Sequence, residues 1–168
     1  MKFTAIEKQP WGNYQVDIPL KDLKHTIDRY INGMVSPLIL DPDFQRGHVW
    51  TLMQKTKYLE HLLSGGKGSR TIIFNCAGWM HDFRGPFVIV DGKQRLTACL
   101  EYLDDEVPAF GHYYYQMEDR LPSLITLQFA INNLSDYNDV LKWYLLLNSG
   151  GTPHSNDELD RVRKMIKN

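Results

Sequence analysis

Val88-Ile89-Val90-Asp91-Gly92-Lys93-Gln94-Arg95-Leu96-Thr97 is the stretch on which the reading of the chain turns. Phe87 to Val90 form a short apolar, β-branched run, and Leu96, Cys99, Leu100 and Leu103 then recur at helical spacing. A buried strand therefore passes into a helix through a single Asp-Gly turn. Such a junction turns the free N–H groups of the first helical turn, and their positive partial charge, toward one spot. Gly92 lets another group approach the backbone closely. Lys93 and Arg95 stand in that same first turn, where each cation is disfavoured by about 0.3–1 kcal/mol. An anion would relieve this, and phosphate suits N–H groups, a bidentate Arg and a Lys together. A second reading uses the same residues. Asp91-Gly92-Lys93-Gln94 fits a capping box, with Asp91 bonding the Gln94 backbone, Gln94 reaching back, and Asp91 partly neutralising the cations. Spacing leaves both open. There is no P-loop and no dinucleotide fingerprint.

Working outward, Thr71–Phe74 and Phe87–Val90 read as buried strands joined through a hairpin whose tip is Gly78–Gly85. Upstream, residues 13–18 predict a strand ended by Pro19. Leu20, Leu23, Ile27, Tyr30 and Ile31 give an amphipathic helix that stops near Gly33. Thr51-Leu52-Met53-Gln54 is a capping box opening a helix that Gly65 and Gly66 end. Downstream, Val107–Phe110 is a candidate short strand and Thr126–Ile131 a stronger one. Residues 136–147 form an apolar helix, and Ser155-Asn156-Asp157-Glu158 caps a polar last helix. This order predicts an α+β fold, a small mixed β-sheet packed with helices.

At 168 residues the chain, 1–168, is expected to be a single domain, since domains commonly run to about 100–150 residues. Its composition, 43% hydrophobic and 23% charged, is that of a globular protein. Nineteen Lys and Arg against twenty Asp and Glu leave a net charge of -1, which excludes a broad basic field for DNA. A local anion site survives, because the acids gather elsewhere, around Asp104–Glu106 and Asp157–Asp160. Cys76 and Cys99 make no disulfide framework, and with no signal peptide or membrane-length apolar run the expected location is the cytoplasm.

The central stretch resembles a family. Asp91-Gly92-Lys93-Gln94-Arg95-Leu96-Thr97 is similar to the Asp-Gly-Gln-Gln-Arg-Leu-Thr signature of the GmrSD-type N-terminal domain, within the ParB/sulfiredoxin-like superfamily. Pro42-Asp43-Phe44-Gln45-Arg46-Gly47-His48-Val49-Trp50 looks like its Phe-Gln-Arg-x-x-x-Trp segment. Leu147-Asn148-Ser149-Gly150-Gly151-Thr152-Pro153-His154 is similar to its Asn-x-Gly-Gly-x-Pro stretch, so the likeness spans roughly 15–165. The resemblance implies a ParB/sulfiredoxin-like fold with the signature loop in a nucleotide pocket. It implies binding, and weak hydrolysis, of a nucleoside triphosphate with Mg²⁺, in proteins of phage-defence restriction systems. Asp91, Gln94 and Arg95 take the catalytic positions. Gln45, Arg46, Gly92, Lys93, Arg95, Thr97 and Asn148 take the phosphate-binding ones. Lys93 departs from the usual glutamine, and no cysteine matches the sulfiredoxin nucleophile. With the chain ending at Asn168, the His-Asn-His nuclease domain of multidomain relatives is expected to be absent, leaving a stand-alone domain.

Other chemistry is thinner. The six histidines show no metal-ligand spacing, so no metal site is expected, although His48 and His154 fall inside the family-like motifs. His81-Asp82 sits on the hairpin tip. Trp50 reads as packing beside the Thr51 cap, or as a stacking surface for a base. Tyr113-Tyr114-Tyr115 with Phe110 reads as core or partner contact, because Asp104-Asp105-Glu106, Glu118 and Asp119 oppose a phosphate backbone. Arg161, Arg163, Lys164 and Lys167 complement a helix end. DNA contact is expected to be weak or indirect. Two further readings stand beside nucleotide binding: a non-catalytic protein-interaction module of phage or mobile-element origin, and a metal-dependent nuclease built on Asp41, Asp43 and Asp91.

Overall fold

The computed structural model describes residues 14–45, 47, 49–148 and 156–166. The elements follow in the order β1 (Tyr14–Pro19), α1 (Leu23–Asn32), β2 (Leu38–Ile39), α2 (Leu52–Leu63), β3 (Thr71–Cys76), β4 (Phe87–Asp91), α3 (Lys93–Leu103), β5 (Thr126–Asn132), α4 (Tyr137–Asn148) and α5 (Asn156–Met165). Five strands form one mixed sheet in the order β1-β5-β3-β4-β2. β1 runs antiparallel to β5 and β3 antiparallel to β4, whereas β5 with β3 and β2 with β4 are parallel. The expected α+β class, a mixed sheet packed with helices, is the one observed.

The period of two along each strand divides the core between the two faces of the sheet. Ile72, Phe74, Cys76, Phe87, Ile89, Leu127, Phe129 and Ile131 face α1, α2 and α3, meeting Leu23, Ile27, Tyr30, Leu59, Leu62, Leu96 and Cys99. Ile73, Val88, Val90 and Ala130 face the other way, onto Val140, Leu141, Trp143 and Tyr144 of α4 and Val162 of α5. Both faces of the central strands are covered, which is why they read as unbroken apolar runs instead of alternating ones. Edge-to-face rings knit the first core, with Phe74 and Phe129 centred 4.9 Å apart.

Local signals explain most boundaries. Gly33 ends α1, its N–H donating to Arg29 O at 2.8 Å. The Thr51 capping box is present in both halves: Gln54 N donates to Thr51 Oγ1, and Thr51 N to Gln54 Oε1. The hairpin between β3 and β4 forms as expected. Val107–Phe110 contributes no strand, only an isolated bridge between Ala109 and His112 around the Phe110-Gly111 turn. Ser155 lies outside the described residues, while α5 begins beside it. Among the described residues, no helix is long and apolar enough to cross a membrane.

Candidate functional site at the β4–α3 junction

The junction is built on one backbone choice. Gly92 adopts a left-handed conformation, φ +92°, and is the N-cap of α3. A Cβ here would lie 2.8 Å from Ile72 Cδ1 and 3.1 Å from Arg95 Nη2, so the turn needs glycine for space as well as for φ. Leu96 N donates to Gly92 O at 2.9 Å, the first bond of the helix.

This geometry corrects the capping-box reading. With Gly92 in the cap, Asp91 stands one position too early to reach the first-turn N–H groups, and lies instead at i, i+4 from Arg95. Arg95 Nη2 donates to Asp91 Oδ2 at 2.7 Å and to Thr71 O at 2.9 Å. The buried Arg95 Nε has no hydrogen-bond partner. Gln94 reaches across to the 47–50 segment. Its Oε1 accepts from Val49 N at 3.1 Å and Trp50 N at 3.2 Å, and its Nε2 donates to Gly47 O at 3.1 Å. Gln45 fastens the same segment from its other end, donating to Ile89 O and Val90 O at 3.1 and 2.8 Å. Phe44 is buried on the α4 side and Trp50 packs on the α1–α3 side, 5.4 Å from Tyr58. Gln45, Gly47, Val49 and Trp50 are thus tied to β4 and α3 by two glutamines.

Lys93 is only 6% exposed, and its ammonium binds the carboxylate of Asp41, which is 80% exposed. The cause lies in β2. Leu38 pairs with Phe87 and Ile39 with Val88 in parallel register, so the chain leaving β2 emerges beside the C-terminal end of β4. The expectation that acids lie away from the two cations is therefore overturned: Asp41 meets Lys93 and Asp91 meets Arg95. Among the described residues, Lys93 and Arg95 each have a carboxylate partner. A third cation arrives from a distant element, as Arg161 of α5 donates to Gln45 O at 3.3 Å.

The junction brings together Asp91, Gly92, Lys93, Gln94, Arg95 and Gln45. Thr97 is half-buried one turn further along α3. Asn148 ends α4 and donates its amide to Tyr144 O at 2.8 Å. Arg46, His48 and His154 lie outside the described residues. Asp41 and Arg161 are the partners that spacing missed as members of a charge cluster. The sequence groups Asp41 with Asp91 only as metal-binding carboxylates, and no local signal links Arg161 to the junction. The three carboxylates of the nuclease reading go to three different groups, Asp43 taking the Tyr137 hydroxyl. Among the described residues, no group of three His, Cys, Asp or Glu could hold a metal.

Titration shifts lie around the site. Burial, and then the Asp43 carboxylate it donates to, push the Tyr137 phenol well above its usual value. Behind α3, burial pushes the Cys99 thiol up to about 12, its contact with Tyr58 offsetting part of the effect, so it stays a neutral core side chain.

A family model described as "GmrSD restriction endonuclease, N-terminal domain" matches residues 23–124 of the chain, from α1 through the loop that precedes β5. The junction and the 41–50 segment fall inside the matched residues, and the stretch around Asn148 falls beyond them. No curated protein and no solved structure matches.

Proposed function

Since the chain belongs to the GmrSD restriction endonuclease N-terminal domain family, we propose that its β4–α3 junction binds the phosphates of a nucleoside triphosphate in a restriction or phage-defence setting. The observation that carries the proposal is the Lys93–Asp41 pair: a buried ammonium at a helix start whose counter-ion is an exposed carboxylate. An ammonium in such a place needs an anion, because burial and the helix field both oppose its charge. The carboxylate facing solvent is the partner that is cheaper to release. A phosphate with more charge and more acceptor oxygens takes its place on Lys93, beside a turn with no Cβ at Gly92.

The pairing of Lys93 with Asp41 and of Arg95 with Asp91 sets the mechanism. Phosphate does not fill a vacant positive hole; it exchanges with Asp41. Arg95, clamped between Asp91 and Thr71 O, forms a fixed wall of the site. Mg²⁺ would travel with the triphosphate and shield it from Asp41 and Asp91. The proposal concerns binding. Gln94 and Asp91, two of the residues the resemblance puts in catalytic positions, hold the Gly47, Val49 and Trp50 backbone and the Arg95 guanidinium.

Isothermal titration with ATP, GTP, CTP and UTP, with and without Mg²⁺, tests this. At least one nucleotide should bind at millimolar concentration or below. Lys93→Met should weaken it by about tenfold or more, the size of one lost charge-assisted contact. Asp41→Asn should tighten it severalfold, because it removes the competing carboxylate. Absence of binding by all four, or indifference to Lys93→Met, sinks the reading.

A further inference from the structure

We propose that the connection between α3 and β5, residues 104–125, is a docking surface for an arginine-bearing segment of a protein partner. Phe110 is 53% exposed, Tyr113 36% and Tyr115 69%. The Tyr113 and Tyr115 rings lie nearly parallel, 17° between planes and 6.3 Å between centroids. These rings are mounted on a fixed frame. Ala109 and His112 exchange two backbone bonds of 2.9 Å across the turn that carries Phe110. Phe110 N donates to Glu60 Oε1 at 2.9 Å, and Tyr115 N to Asp105 Oδ1 at 2.8 Å. Outward rings on an ordered frame lose little conformational freedom when something covers them.

Charge says what covers them. The connection holds five carboxylates, Asp104, Asp105, Glu106, Glu118 and Asp119, against one guanidinium, Arg120. All five carboxylate residues are exposed, but Asp104 is paired with Lys24 and Asp105 accepts from Tyr115 N, so the charge open to an incoming group is that of Glu106, Glu118 and Asp119. The faces of the tyrosine rings are themselves electron-rich, so rings and carboxylates attract the same partner, a cation with an apolar body. Arginine meets this better than lysine: its planar guanidinium stacks on a ring while bonding a carboxylate. A nucleic acid could stack bases on the same rings, but its phosphates would meet the acids. α3 separates the surface from the proposed phosphate site, its 11 residues spanning about 16 Å. The two proposals can therefore fail independently.

The test is an NMR titration of the full chain, labelled with ¹⁵N, at about 0.15 M salt where loose charge attraction is screened. The probes are octa-arginine, octa-lysine, octa-glutamate and an eight-residue oligothymidylate. Octa-arginine should shift the amides of residues 104–119, with octa-lysine weaker and the two anionic probes without effect there. Tyr113→Ser with Tyr115→Ser should weaken octa-arginine about tenfold, the loss expected for two exposed cation–π contacts. Glu118→Gln with Asp119→Gln should weaken it severalfold. Unchanged affinity in the tyrosine variant would mean charge attraction alone and overturn the proposal. So would shifts confined to other residues, stronger binding of the oligothymidylate, or no octa-arginine binding at millimolar concentration.

Discussion

At its N-terminal end α3 is surrounded by charge, and both of its cations are engaged within the fold: Lys93 with Asp41, Arg95 with Asp91 and Thr71 O. At its C-terminal end the pattern reverses. The chain leaves the helix into five carboxylates and three outward rings, and of these acids Asp104 takes a lysine from another element, Lys24. At one end the charged side chains are engaged within the fold; at the other, rings and carboxylates stand largely exposed. Residue type alone therefore misjudges where a protein can act. What counts is whether the folded chain has already used the chemistry, and what an incoming group would have to displace. A ligand at the proposed phosphate site would have to displace Asp41, whereas Phe110, Tyr113 and Tyr115 stand exposed.

The largest difference between the two ends is expected when each is given the same methyl group. Gly92 and Gly111 both have positive φ, +92° and +77°. A Cβ at Gly92 meets Ile72 Cδ1 at 2.8 Å, whereas at Gly111 it meets nothing within 4 Å. Gly92→Ala should cost about 3 kcal/mol, combining the left-handed penalty with overpacking. Gly111→Ala should cost about 1 kcal/mol, the conformational part alone. Urea denaturation of both variants reads the gap, and equal losses would show that the junction is no tighter than the open turn.

Much of this contrast was visible in the residues. The strand–turn–helix, the Thr51 cap, the hairpin and the α1 stripe all rest on local patterns with a period or a cap, and each formed. What stayed hidden depends on β2. Two residues, Leu38 and Ile39, are too short to show a period, yet their parallel pairing with β4 delivers Asp41 to Lys93. Arg161 reaches Gln45 across 116 positions, again with no local trace. The capping box at Asp91 failed for a related reason. Its spacing was right, but Gly92 took the cap and a long-range segment took Gln94. Side chains able to make two local bonds were claimed by tertiary ones.

That claim predicts a middle-sized effect. Gln94 makes three hydrogen bonds to the backbone of Gly47, Val49 and Trp50, and Gln45 makes two to β4 carbonyls. If these ties hold the 41–50 segment on the junction, Gln94→Ala should destabilise by about 1–2 kcal/mol, leaving polar backbone groups to find water. Gln45→Ala should cost about as much. Because both ties hold one segment, the double variant should lose less than the sum, which a double-mutant cycle in urea would read. Strict additivity would show that the two glutamines act on separate structures, and the junction would lose its character as one cross-linked unit.

The smallest effect belongs to the open end. Tyr113 and Tyr115 lie on the surface, and their side chains stack on each other instead of entering the core. Replacing both with serine removes one exposed ring contact and should change stability by no more than about 0.5 kcal/mol. The backbone bond from Tyr115 N to Asp105 does not depend on the ring, so the frame should persist. Thermal unfolding beside the native protein checks this. A loss of 2 kcal/mol or more would place the rings among the groups that hold the fold together, and the difference between the two ends of α3 would be one of degree only. A near-zero change leaves two exposed rings whose arrangement the stability of the fold does not require.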